Sequence, residues 1–347
     1  MAASSSYVPR AKRDEWLVEQ TRIRGLNSQA PDPSATFSVS GREALRVDAP
    51  GSAEEGGAGG HSVPEFPLPP SSEDARPVAV VAGLDISFVK DSDEACACMA
   101  VLQSPSMRPI GVVTHSVAME EPYIAGFLAF REVPILSALV RAWQTCRVRE
   151  SDCTRGPDGS TILAGLGGIE IKLLPGWEAL APPPARAPMD YASAAAADSG
   201  RPLPKVDAFL VDGNGVHHPR RCGAAVALGV LCGIRTVGIG KELHSFGALS
   251  RDALLRRAAR CLTKRGHWMP IFDGKLEGEG VERTGACMQA GSTPRRPIFV
   301  SVGHGLSLEQ ACDLAAGCML HRLPEPVRVA DLYSRALIDK RSKAKSG

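Results

Sequence analysis

The sequence predicts an α/β fold: one mixed β-sheet that opens as an antiparallel meander, continues in parallel strand–helix units and carries helices on its faces. Three observations point to it. Residues 77–89 form an apolar, β-branched run (Val78, Val80, Val81, Leu84, Ile86), the pattern of a strand buried on both faces. Two further strand-like runs, 95–102 and 110–117, flank the turn-forming Ser104-Pro105-Ser106 and are close enough for an antiparallel meander. From residue 206 onward strand and helix patterns alternate, which implies parallel pairing within one sheet.

Taken in order, residues 1–12 read as a flexible N-terminus. Residues 13–27 then space Trp16, Leu17, Ile23 and Leu26 as a short amphipathic helix. Residues 28–76 are rich in Ser, Gly, Ala and Pro and too poor in large apolar groups to fold, so they read as a disordered insertion. Residues 77–150 form the first half of the domain and end in a helix over 133–147, opened by Glu132 and tolerating Pro134 in its first turn. A second low-complexity insertion spans 151–204, although 161–174 is apolar enough for a hairpin. The second half, 205–338, predicts strands at 206–211, 235–239 and 297–302 and helices at 222–232, 251–264 and 307–320. A basic tail, 339–347, closes the chain.

At 347 residues and 44% hydrophobic content the chain can bury a sizeable core. No run approaches the roughly 18 to 20 apolar residues of a membrane span, which excludes a helical transmembrane protein. Forty basic against 38 acidic residues give a net charge of +2, which decides nothing about nucleic acid, since only a local cluster would. The ten cysteines contain no CxxC pair and no zinc-finger spacing, and the start lacks a signal-peptide core; they read as reduced thiols of a cytosolic or nuclear protein. Arg10, Lys12 and Arg13 suggest a transit peptide, but Asp14, Glu15 and Glu19 follow at once and argue against it. The Lys340, Arg341, Lys343 and Lys345 cluster suits added electrostatic affinity, a nuclear address or a solvated tail.

Three acids, a lysine and a histidine could carry chemistry. The charged pair Arg131-Glu132 interrupts an otherwise apolar stretch, where charge is costly without partners or solvent. Asp85 lies inside the buried run of the first strand, so it is paired, protonated, metal-bound or an ordinary strand-end acid. Asp212 ends the 206–211 strand, at the carboxyl edge where α/β folds collect ligands; Asp-Gly and Asn-Gly turn chemistry explains it nearly as well. If those strands are neighbours, their carboxylates could share divalent metal, most plausibly magnesium, and hydrolyse a phosphodiester. His304 sits between two glycines after another strand, placed to relay a proton or simply to bond a loop carbonyl. Lys241 ends Gly238-Ile239-Gly240-Lys241, but Arg235 and Glu242 rule out a nucleotide-binding phosphate loop and leave a contact to nucleic-acid phosphate.

Together these segments resemble endonuclease V, a nuclease family that recognises inosine. The matching text is GLDISFVK (83–90), PYIAGFLAFREVP (122–134), LVDGNGVHHPR (210–220), VGIGKELH (237–244), VSVGHGLSLEQA (300–311) and RLPEPVRVADLYSR (322–335). The resemblance implies an RNase H-like fold and magnesium-dependent cleavage, with manganese able to substitute, of the second phosphodiester bond 3′ to inosine. It implies Asp85, Glu132 and Asp212 as metal ligands and His304 as the assisting histidine. Asp331 would be a further acid, either orienting His304 or holding metal-bound water. Tyr123 would be the wedge that stacks where the inosine has left its neighbours, Gly126 would admit the extruded base to backbone amides, and Lys241 would contact nucleic acid. The closeness of 322–335 to the animal members favours single-stranded RNA over DNA as the partner, with a monomer acting away from membranes. Ala125 and Gly305 depart from the family's usual Pro and Arg. The rival readings are an inosine-binding protein without cleavage and another RNase H-like nuclease such as a resolvase.

Overall fold

The computed structural model describes residues 10–28, 78–90, 92–119, 121, 124, 126–164, 166–182, 200–244, 250–272, 282–291 and 296–346. Most of the two predicted insertions' low-complexity text, at 29–76 and 183–199, lies outside these residues, as do Tyr123 and Ala125.

In chain order the strands are β1 (Val80–Phe88), β2 (Glu94–Gln103), β3 (Arg108–Ala118), β4 (Arg147–Val148), β5 (Cys153–Arg155), β6 (Thr161–Ala164), β7 (Ile169–Leu173), β8 (Arg201–Pro202), β9 (Ala208–Asp212), β10 (Thr236–Gly240), β11 (Trp268–Phe272), β12 (Arg283–Met288) and β13 (Ile298–His304). The helices are α1 (Arg10–Ser28), α2 (Leu128–Thr145), α3 (Ala224–Cys232), α4 (Arg251–Cys261), α5 (Leu308–Gly317) and α6 (Glu325–Ser346). Among the described residues eleven strands form one mixed sheet in the order β11-β12-β13-β10-β9-β1-β2-β3-β7-β6-β5, and β4 pairs with β8 apart from it. The predicted meander is β1-β2-β3, antiparallel throughout. The hairpin expected at 161–174 is β6-β7, and β7 joins the sheet against β3.

The parallel part is β1-β9-β10. Leu84 lies level with Val211, and Asp212 with Ile239. The Asp207 carboxylate helps set that register by accepting the amides of Ala79 at 2.9 Å and Val80 at 3.0 Å. Successive side chains of a strand face opposite ways. Val80, Ala82 and Leu84 accordingly enter one core with α2 and α3, while Val81, Ala208, Leu210, Val237 and Ile239 enter a second with α5 and α6. The sheet is therefore the middle of three layers. A smaller third cluster seats Leu254 and Ala258 of α4 against Met269, Ile271 and Phe299.

Helix α1 starts at Arg10, within the expected flexible N-terminus, and β5, β6 and β7 join the sheet from within the expected 151–204 insertion; three further corrections bear on the site. Helix α2 starts at Leu128, ahead of the expected 133, so Glu132 and Pro134 lie within it rather than at its start. Its first turn is held by apolar packing: Trp16 of α1 stacks on Phe130, with ring centroids 5.0 Å apart and planes 6° from parallel, and also meets Phe127. That contact offsets the helical hydrogen bond lost at Pro134. Secondly, β13 is antiparallel to β10, because the chain enters β11 already running opposite to β10, and the antiparallel pair β11-β12, which the periodicity does not predict, leaves it at the same end of the sheet. Thirdly, α6, a helix that the sequence reading does not predict, runs from Glu325 through the expected basic tail to Ser346.

Candidate active site

Asp85 within β1, just past the last residue paired with β9, and Asp212 at the end of β9 lie on the same face of neighbouring parallel strands, so the condition that the sequence left open is met. Asp85 is 4% exposed. Helix α6 crosses directly over its strand. A Cβ on Gly83 would lie 2.0 Å from the Pro326 carbonyl carbon, so only glycine permits that approach. The crossing brings Ser334 to Asp85: its hydroxyl lies 3.4 Å from Asp85 Oδ2 and 2.7 Å from the Ser87 hydroxyl. One helical turn earlier the same helix delivers Asp331.

Lys241, one residue beyond β10, lies among these carboxylates. Its ammonium donates to Asp212 Oδ2 at 2.6 Å and lies 3.9 Å from Asp85 Oδ1 and 3.7 Å from Asp331 Oδ1. Asp331 also accepts from Arg335 at 2.7 Å. Burial pushes the Asp85 carboxyl well above the usual carboxylate range, and the hydrogen bond and charge of Asp212 push the same way; Lys241 opposes them. Lys241 is held above its ordinary value, because Asp212, Asp85 and Asp331 together outweigh the burial that pulls it down.

Glu132 reaches the same strand ends from α2, on the opposite face of the sheet. Burial, reinforced by the charge of Asp212, raises its carboxyl to about 7 against the pull of Arg131. Arg131 itself lies over the Phe88 ring, 4.9 Å from its centroid. His304 ends β13 at a bulge: Thr236 faces His304 but Val237 faces Val302, which leaves Gly303 as the extra residue. A Cβ on Gly303 would meet Thr236 Oγ1 at 2.3 Å. The His304 ring donates from Nδ1 to Asn27 Oδ1 at 2.7 Å, and burial lowers its pKa. Asp331 is thus engaged with Lys241 and Arg335, and the described contact of the His304 ring is with Asn27.

Gly126 lies in a left-handed turn at φ +81°. Its carbonyl accepts from Gln20 of α1 at 3.1 Å and from Arg220 Nη2. Arg220 also donates to Gln20 Oε1 and covers the Phe127 ring at 4.3 Å. Gln20, 1% exposed, bonds the Cys222 carbonyl as well, at 3.3 Å. Sequence reasoning does not single out Gln20, Asn27, Arg220 or Ser334. A polar glutamine at the buried spacing of α1 is the signal for the first; Arg220 and Ser334 lie within the family-matching segments 210–220 and 322–335, and nothing local marks Asn27.

A cavity of about 500 Å³ opens here, lined by Asp85, Phe88, Asp212, Lys241, Asp331 and Arg335. Among the described residues no three His, Cys, Asp or Glu side chains form a ready-made metal cage. The donor chemistry nevertheless fits a hard divalent cation, since the facing aspartates offer only oxygen and their mutual repulsion is what such an ion relieves. The Lys241 ammonium stands in that cation's place electrostatically.

Comparison with known proteins accounts for this arrangement. Residues 68–154 and 192–332 match the endonuclease V family model. Human endonuclease V is 34% identical over 261 residues, covering 75% of this chain and 72% of the human protein. Endonuclease V of Trichormus variabilis is 30% identical over 261 residues, covering 74% and 82%. The solved catalytic domain of human endonuclease V aligns with a TM-score of 0.62 at 28% identity over 97% of this chain and 99% of that one. Endonuclease V of Ciona intestinalis, solved with a 24mer DNA containing an inosine followed by a ribo-adenosine, shares the fold at a TM-score of 0.61 and 22% identity, over 95% and 99%. The mixed sheet is thus the RNase H-like one expected. Both halves of that sheet carry the matched text, and the acids that meet between them belong to a phosphodiesterase: this chain is a member of the endonuclease V family, and a nuclease.

Proposed function

We propose that this nuclease recognises inosine in single-stranded nucleic acid, RNA in preference to DNA, and hydrolyses the second phosphodiester bond 3′ to it, leaving 3′-hydroxyl and 5′-phosphate ends. The observation that carries the hydrolytic part is the facing pair Asp85 and Asp212 with Lys241 between their oxygens. The inosine-containing DNA bound by the Ciona intestinalis relative supports the choice of base.

Magnesium, or manganese in its place, would be held by Asp85, Asp212 and Glu132 and when bound supplies positive charge for the phosphoryl oxygen and for activating water. Lys241 adds fixed positive charge in the same cavity, where a low dielectric makes it count. His304 offers a ring nitrogen for proton transfer. Gly126, with no side chain, leaves the backbone open to an extruded base, and Tyr123 fills the space that base vacates.

The test is cleavage, side by side, of matched single strands carrying one inosine, one deoxyinosine or neither, with magnesium and then with EDTA. The expected result is a single magnesium-dependent cut between the first and second nucleotides 3′ to inosine, faster in RNA. A strand that is shifted in a gel but left intact would indicate a binder. Cutting indifferent to inosine would indicate a different nuclease.

A further inference from the structure

One face of α1 runs through Trp16, Gln20, Ile23 and Asn27, at helical spacings of four, three and four residues. Each of the four is anchored. Trp16 stacks on Phe130, Gln20 bonds the carbonyls of Gly126 and Cys222, and Ile23 is 3% exposed in the core. With rotation and register set by those three, Asn27 is delivered to His304, a residue 277 positions away, at 2.7 Å.

A neutral imidazole carries one N–H and one lone-pair nitrogen, and the partner of one nitrogen decides which is which. The Asn27 oxygen can only accept, so His304 must donate from Nδ1 and keep its lone pair on Nε2. We propose that Asn27 is a positioning residue of this nuclease, which holds the His304 ring in the Nδ1-protonated tautomer and fixes its orientation. It does so with an amide, adding no further acid to Asp85, Glu132, Asp212 and Asp331. The aspartate best placed by sequence for this duty, Asp331, has its Oδ1 occupied by Arg335 at 2.7 Å. The register device at the other end of the contact is the Gly303 bulge, which re-aims the last residue of β13.

The inference rests on the reading of His304 as the assisting histidine, but its primary test does not. In the full chain with ¹⁵N-labelled histidine and no metal, long-range proton–nitrogen spectra at alkaline pH report the tautomer of each ring, with His304→Gln identifying the signal. The native protein should show His304 protonated at Nδ1. Asn27→Leu should lose that preference, and Asn27→Asp, which keeps an acceptor oxygen, should retain it. In the cleavage assay Asn27→Leu should lower kcat about tenfold to a hundredfold with KM little changed, the range seen when a histidine loses its outer partner. A native Nε2-protonated ring, or an Asn27→Leu spectrum identical to native, overturns the proposal. So does an Asn27→Leu variant that loses activity with its tautomer unmoved, because that is a purely structural role. If the native enzyme fails to cut inosine strands while the tautomer behaves as stated, the functional reading fails and the positioning contact stands.

Discussion

The two ends of this site are held by opposite means. At the carboxylate end, Asp85 and Asp212 are placed by backbone pairing of parallel strands and by α6 packed against Gly83. Their charges repel, and Lys241 moderates the repulsion. At the other end, the Gly126 turn is held by the side chains of Gln20 and Arg220, which bond its carbonyl and each other. A rigid apolar frame can hold a charge arrangement that is unfavourable by itself, because the cores on either side of the sheet supply the stability that the site withholds. A turn outside the sheet has no such frame, so its contacts must each be favourable. The carboxylate end thus holds stored repulsion that cation binding can relieve, whereas the turn is already organised before any ligand arrives.

Three measurements probe this contrast. The largest effect is expected from Asp212→Asn, which removes one of the paired oxygens. Loss of several kcal/mol of charge stabilisation corresponds to a fall in kcat on the order of a thousandfold. Inosine-strand affinity, read by gel shift, should remain, because the Gly126 turn is untouched. Joint loss of binding and cleavage would mean that the two ends are not separable. Next comes Gly126→Ala. Its Cβ would sit 2.8 Å from Arg220 Nη2, at a φ of +81° that alanine resists. Strain of about 1 to 2 kcal/mol should appear as a roughly tenfold loss in kcat/KM for inosine strands. Unchanged kinetics would show that the turn does not meet the base.

The smallest effect concerns stability. Folding raises the Asp85 pKa, so this group's contribution is intact below the pKa of the unfolded carboxyl and is lost as pH climbs toward the folded value. Asp85→Asn removes the ionisation that folding opposes. In EDTA the variant should melt above the native protein, with a larger gain at mildly alkaline than at mildly acidic pH, and magnesium should narrow the difference by stabilising the native protein alone. Equal melting temperatures across that range would refute the stored repulsion.

Much of the carboxylate end is legible in the residue order. Asp85 reads as an acid inside a buried strand and Asp212 as one at a strand end, because strand periodicity and Gly-rich turns are local signals. The same local signals misplace the start of α2, where Pro134 suggests a first turn but the stack of Trp16 on Phe130, made across more than a hundred residues, extends the helix to Leu128. They also miss β11, whose Pro270 argues against a strand. The fold accepts it because β11 is the sheet's edge, where a missing N–H need not leave a partner unpaired. The strand–helix alternation also takes α4 for a crossover and so gives β13 the wrong direction, whereas the chain enters β11 running opposite to β10.

Residue order over short windows is enough for the mixed sheet, its meander, the family and the acids at the strand ends, since each of these is written in neighbouring residues. The closed fold alone settles that Lys241 sits among those acids, that Asp331 pairs with Arg335, and that Asn27 takes the histidine. Partners such as Asn27 and His304 depend on the positions of residues hundreds of places apart, and those positions exist only once both cores have closed on the sheet.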